Sequence, residues 1–273
     1  MDNLTKQSLV EKHIISPEFA SSKDENCAIL INDEENICIM INEEDHLRMQ
    51  LFGEGIAIEE LMNLAIEIDQ KLERLVDYAF SEKYGYLTAC PTNVGTGLRV
   101  SVMVHLPGLA ETGNLNKILH IVNNFGMSVR GVYGEGSQSM GNMYQISNNQ
   151  TLGLTEQEIV KNMKLITDKI IEQERVARKY LGKNQIGLAD KVYRAFGILE
   201  IARILSSNEC IDLLSDVKLG TDMGIISELD DTKIKKLFLY TKPANLQKYY
   251  GKVMDSNERD LKRTDIIRKI VTE

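Results

Sequence analysis

The stretch CPTNVGTGLRVSVMVHLP, Cys90–Pro107, joins a cysteine and a threonine- and glycine-rich turn to an alternating run of apolar residues. The alternation from Leu98 to Leu106 predicts a β-strand. Arg99 lies on this strand beside the turn, where a guanidinium suits phosphate oxygens. The turn offers backbone N–H groups and hydroxyls to an anion, but it lacks the G-x-x-x-x-G-K-[ST] spacing of a P-loop. The stretch predicts a polar turn against a strand and leaves the role of Cys90 open.

Composition and charge narrow the class of protein. The chain has 273 residues, of which 43% are apolar and 26% charged, as in soluble globular proteins of about two domains. No apolar run approaches the ~20 residues of a membrane span, and the polar start MDNLTKQSLVEKHII is not a secretory signal. A cytoplasmic protein without a membrane partner is therefore expected. The net charge of −8 argues against nucleic acid as a direct partner.

The four cysteines are widely spaced and none forms a C-x-x-C pair, so no zinc or other metal site is expected. In a reducing cytoplasm all four thiols are expected to be free. Cys27 and Cys38 lie in apolar runs, which favours a place in the strand core.

The order of patterns predicts an antiparallel α+β domain over residues 1–181, followed by a small all-helical domain over 188–273. Strands are expected at Cys27–Ile31, Ile37–Ile41, His46–Phe52 and Leu98–Leu106, with two more within SVRGVYGE and NMYQISN. Helices are expected at Ile58–Phe80, at Asn114–Phe125 and from the capping box of Thr155 and Glu158 to about Tyr180. Leu181–Gly187 is predicted to be a linker, and a second capping box is predicted at Ser206 and Glu209.

Two further polar loops accompany strands. INEEDHLR, Ile41–Arg48, places three acids before His46 and Arg48; carboxylates here can position and deprotonate a guanidinium, or they form a solvated turn. RGVYGEGSQSMGN, Arg130–Asn142, is either a loop that closes over a substrate or an ordinary glycine-rich hairpin loop.

Together, INEEDHLR, CPTNVGTGLRVSV and RGVYGEGSQ resemble, in order and separation, the signature of the ATP:guanidino phosphotransferases. The resemblance covers most of residues 1–181. GEGSQSMGNMYQISN and the helical tail resemble the bacterial protein-arginine kinases within that family. The resemblance implies an antiparallel sheet flanked by helices, of the glutamine-synthetase-like kind, and transfer of phosphoryl from ATP to arginine side chains of proteins.

The resemblance also implies roles for particular residues. Glu44 and Glu135 match the catalytic carboxylates, and Cys90 matches a thiolate that faces the guanidinium without forming a covalent bond. Arg48, Arg99 and Arg130 match arginines that hold the ATP phosphates, with Mg²⁺ bridging those phosphates. Met103 stands where creatine and arginine kinases tend to have a histidine near the adenine.

The helical tail contains ERDLKR, in which Arg259, Asp260 and Arg263 match the R-D-x-x-R phosphoarginine-binding motif. Arg259 and Arg263 are four residues apart and are expected to share one helix face. On that face they would grip one phosphoryl group, while Asp260 faces the guanidinium. The alternative is a solvated helix with a few ion pairs.

The chain departs from the family pattern at its start, where no S-S-R-[IV]-R-like stretch is found. A chain lacking that segment, with reduced activity, is therefore expected. Two alternatives to the protein-arginine kinase stay open: a non-catalytic adaptor that binds phosphoarginine, and a small-molecule phosphagen kinase. By resemblance the partners would be a Clp-type AAA+ protease, an activator protein, a heat-shock repressor and a second copy of the chain.

Overall fold

A computed structural model describes residues 1–131 and 140–272 of the chain. Its strands are β1 Ala28–Ile31, β2 Ile37–Ile41, β3 Leu47–Leu51, β4 Phe80–Ser81, β5 Gly85–Tyr86, β6 Ser101–His105, β7 Met127–Gly131 and β8 Met143–Asn148. Its α-helices are α1 Asn3–Glu11, α2 Pro17–Ser21, α3 Ile58–Glu73, α4 Pro107–Glu111, α5 Leu115–Asn124, α6 Glu156–Leu181, α7 Gln185–Ile201, α8 Ser207–Asp222, α9 Asp231–Tyr240, α10 Pro243–Tyr250 and α11 Ser256–Thr272. The predicted fold class, an α+β part followed by a helical part, is confirmed.

Antiparallel pairing organises the described strands into three sheets, ordered β1-β2-β3, β4-β5 and β6-β8-β7. The predicted hairpin, β1 with β2, is present, and β3 continues it. In the third sheet the central strand is β8, which joins β6 to β7. The third sheet therefore places β8 between the strand after Cys90 and the strand that carries Arg130.

The sheet β6-β8-β7 has one apolar face and one polar face. Side chains alternate along each strand, so residues opposite one another across the ladder share a face. Val102, Ile146 and Val129 form one such row and pack with α6 residues such as Met163 in a common core. Met103, Gln145 and Arg130 form the neighbouring row on the opposite face. The core therefore packs against one face of the sheet, and the side chains of the opposite face are not part of that core.

Several element ends differ from the sequence prediction. The helix predicted over Ile58–Phe80 ends at Glu73, and Leu75 beyond it is 79% exposed, so its apolar side chain does not extend the buried stripe. The strand predicted from Leu98 begins at Ser101. The predicted linker is mostly helix: only Gly182–Asn184 separate α6 from α7, because the Asn184 side chain accepts the Gly187 N–H and starts the next helix.

Helix capping follows the sequence. Thr155 and Glu158 form the predicted capping box at the start of α6. At the second predicted capping box the Ser206 hydroxyl accepts the Glu209 N–H and caps α8, but the return bond from the Ser206 N–H to the Glu209 carboxylate is absent among the described residues, so the box is only half formed. The helices after α6 then enclose their own apolar core, which includes Val192, Leu214 and Ile267, each 0% exposed.

The first helix is packed against the helical tail. The Glu11 carboxylate accepts the backbone N–H groups of Ala244 and Asn245 at 2.7 and 2.8 Å, at the start of α10. The Ser8 hydroxyl donates to the Asn245 side chain at 2.7 Å. A carboxylate at a helix N-terminus satisfies otherwise unpaired donors, so these bonds tie the two ends of the chain together.

Among the described helices, none combines the length and the apolar character needed to cross a membrane.

Candidate active site

The three carboxylates of the acidic loop between β2 and β3 have different surroundings. Glu43 is bound inside: it accepts Arg48 Nη1 at 3.0 Å and the Ser16 hydroxyl at 2.5 Å, and its side chain is 5% exposed. Burial works to raise the pKa of Glu43, but the hydrogen bonds from Ser16 and the Glu44 N–H and the charge of Arg48 together lower it. Glu43 is therefore a fixed anion that orients Arg48, whereas Glu44 is exposed.

Asp45 links the acidic loop to the cysteine turn. Its Oδ1 accepts the N–H groups of Ala89 and Cys90 at 2.6 and 3.1 Å, and its Oδ2 accepts Asn93 Nδ2 at 2.8 Å. Hydrogen bonds to an ionised acceptor are about twice as strong as neutral ones. Asp45 therefore fixes the position of Cys90 relative to Glu44, its neighbour in the chain.

Cys90 is half-buried and precedes a short 3₁₀ turn, Pro91–Asn93. Its Sγ lies 3.0 Å from Thr92 Oγ1. The other thiols have different settings. Cys38 and Cys210 are both 0% exposed, and burial raises the pKa of the first to about 11 and of the second to about 12.

The four cysteines are free, as the sequence predicts. Cys38 lies in the strand core, as expected. Cys27 lies just before β1, half-buried, with its Sγ 3.0 Å from the Asn42 carbonyl oxygen.

The turn after Cys90 forms hydrogen bonds with Thr151. The Gly95 and Thr96 N–H groups donate to the carbonyls of Tyr86 and Thr151 at 3.1 and 2.9 Å, and the Thr151 hydroxyl donates to Val94 O at 2.8 Å. The expectation that the N–H groups of this turn line an anion site is therefore wrong for Gly95 and Thr96, because internal carbonyls take them. The turn serves to place Cys90.

Three arginines converge beside the turn. Partial burial lowers the pKa of Arg99, and the positive charges of Arg130 and Arg48 lower it further, while Glu44 and Cys90 act in the opposite direction. An arginine keeps its charge despite such a shift. Arg99 thus lies within electrostatic reach of the other four side chains, and the two further arginines repel its charge. Clustered cations of this kind suit a polyanion such as a triphosphate.

Glu135, the second carboxylate implied by the resemblance, lies outside the described residues. The sequence reasoning missed Glu43, Asp45 and Thr151 as positioning groups. The run of three acids was the available signal for the first two, because a solvated turn has no need of three consecutive carboxylates.

The R-D-x-x-R residues lie on α11, where Arg259 and Arg263 differ in burial and in hydrogen-bond partners. Arg263 is 1% exposed, and its guanidinium donates to Thr241 O at 2.8 Å, Leu205 O at 2.5 Å and Asp260 Oδ1 at 2.6 Å. Arg259 is half-buried and donates to Met254 O at 3.0 Å. The inward turn of Arg263 supplies donors to the carbonyl of Thr241, at the C-terminal end of α9, and to that of Leu205, in the segment between α7 and α8. A phosphoarginine-binding role for these three residues stays a prediction.

Comparison with known proteins shows which families the chain is similar to. Residues 1–177 match the family described as ATP:guanido phosphotransferase, C-terminal catalytic domain. The chain belongs to the ATP:guanido phosphotransferase family. As a guanidino phosphotransferase it is a kinase, and its phosphoryl donor is ATP. Residues 185–273 match a second family, described as the protein-arginine kinase McsB C-terminal domain.

The sequences of relatives of this guanidino phosphotransferase align with it over nearly its whole length. It is 52% identical over 272 residues to the protein-arginine kinase of Halothermothrix orenii, covering 98% of this chain and 78% of the relative. It is 46% identical over 267 residues to that of Bacillus subtilis, covering 97% of this chain and 73% of the relative.

Solved guanidino kinases share the fold. The duplicated taurocyamine kinase of Schistosoma mansoni, with bound transition state analog components, matches at a TM-score of 0.58 and 25% identity, over 86% of this chain and 32% of that chain. Lombricine kinase matches at 0.52 and 30% identity, over 64% of this chain and 51% of that one.

Proposed function

We propose that this chain transfers the γ-phosphoryl group of ATP to arginine side chains of proteins. The observation that carries the proposal is the Asp45 hydrogen bond to the Cys90 N–H, which joins the loop of Glu44 and Arg48 to the cysteine turn, with Arg99 in electrostatic interaction with Arg48, Arg130, Glu44 and Cys90. Cations for a triphosphate and anions for a guanidinium stand next to each other. The match of residues 185–273 to the protein-arginine kinase tail favours a protein substrate over a small guanidine.

In the proposed reaction Arg99 and Arg130, with Arg48, hold the nucleotide phosphates in line with the incoming guanidino nitrogen. The nitrogen forms a bond to γ-phosphorus as the bond from γ-phosphorus to the β-γ bridging oxygen breaks, and ADP leaves. The guanidinium proton passes to a carboxylate, for which Glu44 and, by resemblance, Glu135 are the candidates. Cys90 as a thiolate would orient the guanidinium by charge. Alignment and charge neutralisation supply the catalysis.

Mg²⁺ is proposed as the companion of ATP. Residues 1–131 and 140–272 contain no group of three or more His, Cys, Asp or Glu side chains placed to hold a metal. An ion carried by the phosphates themselves fits that finding, since Mg²⁺ keeps several waters and binds through substrate phosphates. Bound there, it would neutralise charge on the transferring group.

The cellular setting is proposed from the resemblance alone. It is a cytoplasmic role in protein quality control, with a Clp-type AAA+ protease that recognises the mark, an activator protein, a heat-shock repressor among the substrates, and a homodimeric enzyme. Four free thiols accord with a reducing compartment.

The test is phosphoryl transfer from γ-labelled ATP to casein in the presence of Mg²⁺, with acid-labile phosphate as the readout. We expect Cys90→Ala and Arg99→Ala to lower the rate at least 100-fold. Cys27→Ala, a half-buried thiol outside the site, is the matched control and should stay within twofold of wild type. The Bacillus subtilis relative serves as the positive control for the assay.

Equal labelling by Cys90→Ala and wild type would contradict the proposed site. Transfer to free arginine or creatine in preference to casein would point to a small-molecule kinase. Binding of phosphoarginine without any ATP turnover would point to an adaptor instead.

A further inference from the structure

A single hydroxyl in the helical part of the chain holds the ends of two strands of the catalytic part. Ser215 lies in the middle of α8 and is 0% exposed. Its Oγ is 2.9 Å from His105 Nε2 and 3.0 Å from Asn142 Nδ2. His105 is the last residue of β6, and Asn142 immediately precedes β8. These strands are neighbours, with His105 opposite Met143.

The chain at Gly141 and Asn142 is shaped to the surface of α8. Gly141 is buried at φ +59°, and its N–H donates to Asp212 Oδ1 at 3.2 Å. A Cβ at Gly141 would stand 2.6 Å from Ile211 Cγ2 and 2.9 Å from Ile211 O. Asn142 also has a positive φ, +54°, which a non-glycine residue adopts only when its surroundings hold it there. The helix surface therefore dictates the path by which the chain enters β8.

The sheet that contains these two strands carries the phosphate side of the candidate site. Gln145 lies three residues beyond Asn142 on β8, in the row between Met103 and Arg130. Arg99 precedes β6, the strand that ends at His105, and Arg130 lies on β7, which pairs with β8. Close-packed interiors transmit strain, so a shift at the junction would reach Arg99 along β6 and Arg130 through the pairing of β8 with β7.

A second contact fastens the same junction. Arg178, on α6, donates to the His105 carbonyl at 3.3 Å and to Asp222 Oδ2, at the end of α8, at 2.9 Å. Its Nε also donates to the buried Glu174 at 2.7 Å. Helix α8 is thus fixed at both its middle and its end against the strand that leads from Arg99.

We propose that α8 is a positioning element of the kinase site and that Ser215 is its positioning residue, which sets the placement of β6 and β8 and hence of Arg99 and Arg130. The inference rests on the proposed function and adds to it a requirement for the helical part in phosphoryl transfer itself. Ser215 touches no reacting atom; it acts through His105 and Asn142.

The test is the full chain with Ser215→Ala, compared with Thr221→Val. Thr221 is on the same helix, and its hydroxyl is buried without a hydrogen-bond partner in the described part of the chain, so its removal is a matched loss of one hydroxyl. We expect Ser215→Ala to lower kcat at least tenfold, because small misplacements of aligned groups cost that much, with KM for the protein substrate within twofold. Thr221→Val should change neither.

A readout independent of activity is amide hydrogen exchange. Ser215→Ala should speed exchange at Leu106, whose N–H donates to Asn142 O at 2.9 Å, and through Met143–Asn148, relative to Ile267 in α11. Asn142→Gly suits the positive φ and removes the same bond from the other side. If both changes act through one hydroxyl, their effects on kcat will be less than additive in the double variant.

The outcomes separate the two proposals. If wild type transfers no phosphoryl group, the proposed function fails, and local exchange still shows whether Ser215 holds the strands. If wild type is active and Ser215→Ala keeps both its kcat and its exchange pattern, the inference is overturned. A loss of kcat without faster exchange in Met143–Asn148 would overturn it too. Should Ser215→Ala fail to fold, Asn142→Gly decides by the same measurements.

Discussion

Asp45 Oδ1 accepts the backbone N–H of Cys90 at 3.1 Å, across a sequence separation of 45 residues. The same carboxylate also binds Ala89 N–H and Asn93 Nδ2. One side chain of the acidic loop therefore fixes the cysteine turn through three donors. The position of Cys90 therefore depends on a side chain from another loop.

Asp45→Asn should lower kcat for phosphoryl transfer about 10- to 100-fold while the protein stays folded. An amide presents one acceptor oxygen where the carboxylate presents two, so either the Cys90 end or the Asn93 end loses its bond, and a small displacement of an aligned group is costly. Steady-state kinetics with circular dichroism checks this. Asp33→Asn, an exposed aspartate of the β1–β2 turn, controls for the lost charge. Unchanged kcat in Asp45→Asn would show that the turn keeps its place without the carboxylate.

Gly95→Ala should destabilise the protein by about 3 kcal/mol, and Gly97→Ala by only about 1 kcal/mol. Both glycines have a positive φ, +110° and +62°. A Cβ at Gly95 would stand 2.3 Å from Thr151 O, whereas one at Gly97 would have only Asn93 O, at 3.8 Å, within 4 Å. The difference between the variants in urea unfolding measures the contact with Thr151 together with the larger backbone cost at Gly95, because its φ of +110° lies outside the left-handed helical region near which Gly97 falls. Similar losses in both would mean that the close approach is easily relieved.

Arg263→Ala should lower the free energy of unfolding by roughly 3–5 kcal/mol, as the loss of one partner from a buried charge network does. It would leave the Thr241 and Leu205 carbonyls without their donor. Arg259→Ala, which removes one bond from a half-buried side chain, should cost about 1 kcal/mol. Denaturant unfolding of the two variants compares them directly. If Arg263→Ala proves as stable as Arg259→Ala, the buried role of Arg263 is refuted and a ligand-binding role gains weight.

Stability should fall as the pH drops from about 6.5 towards 4, partly through His105. Burial, with the charges of Arg178 and Lys218, lowers the pKa of His105 to about 3, against a weaker opposing effect of Asp222. The unfolded chain therefore binds a proton first as the pH falls, and the free energy of unfolding decreases by at most about 1.4 kcal/mol per pH unit for this group.

Urea unfolding at pH 7, 6 and 5 measures the slope. His105→Gln should flatten it by up to that amount, because glutamine takes up no proton, while His120→Gln, at an exposed histidine, should leave it unchanged. Parallel slopes for wild type and His105→Gln would show that His105 titrates normally.

The sequence predicted the parts of the site that are local. Alternation from Leu98 to Leu106 predicted a strand, and the strand observed at Ser101–His105 carries Met103 on the polar face, as a period of two requires. The capping box at Thr155 marked the start of α6. The motifs around Glu44, Cys90, Arg99 and Arg130 predicted a common site; that site stays a prediction, which the electrostatic interactions of Arg99 with the other three residues support.

The tertiary structure decided which polar side chains form hydrogen bonds within the fold. Glu43, Glu44 and Asp45 are consecutive carboxylates, yet their surroundings differ. Glu43 accepts hydrogen bonds from Ser16 and Arg48. Glu44 is exposed, and Asp45 accepts the backbone N–H of Cys90. Arg263 fits a solvated helix face in sequence and is buried in the structure. A local sequence pattern cannot predict these hydrogen bonds, because each one needs a carbonyl, amide or hydroxyl group tens of residues away in the chain. The sequence by itself determined the periodic elements and the family motifs. Only the packing of distant segments determined which donors and acceptors are paired within the fold and which side chains stay exposed.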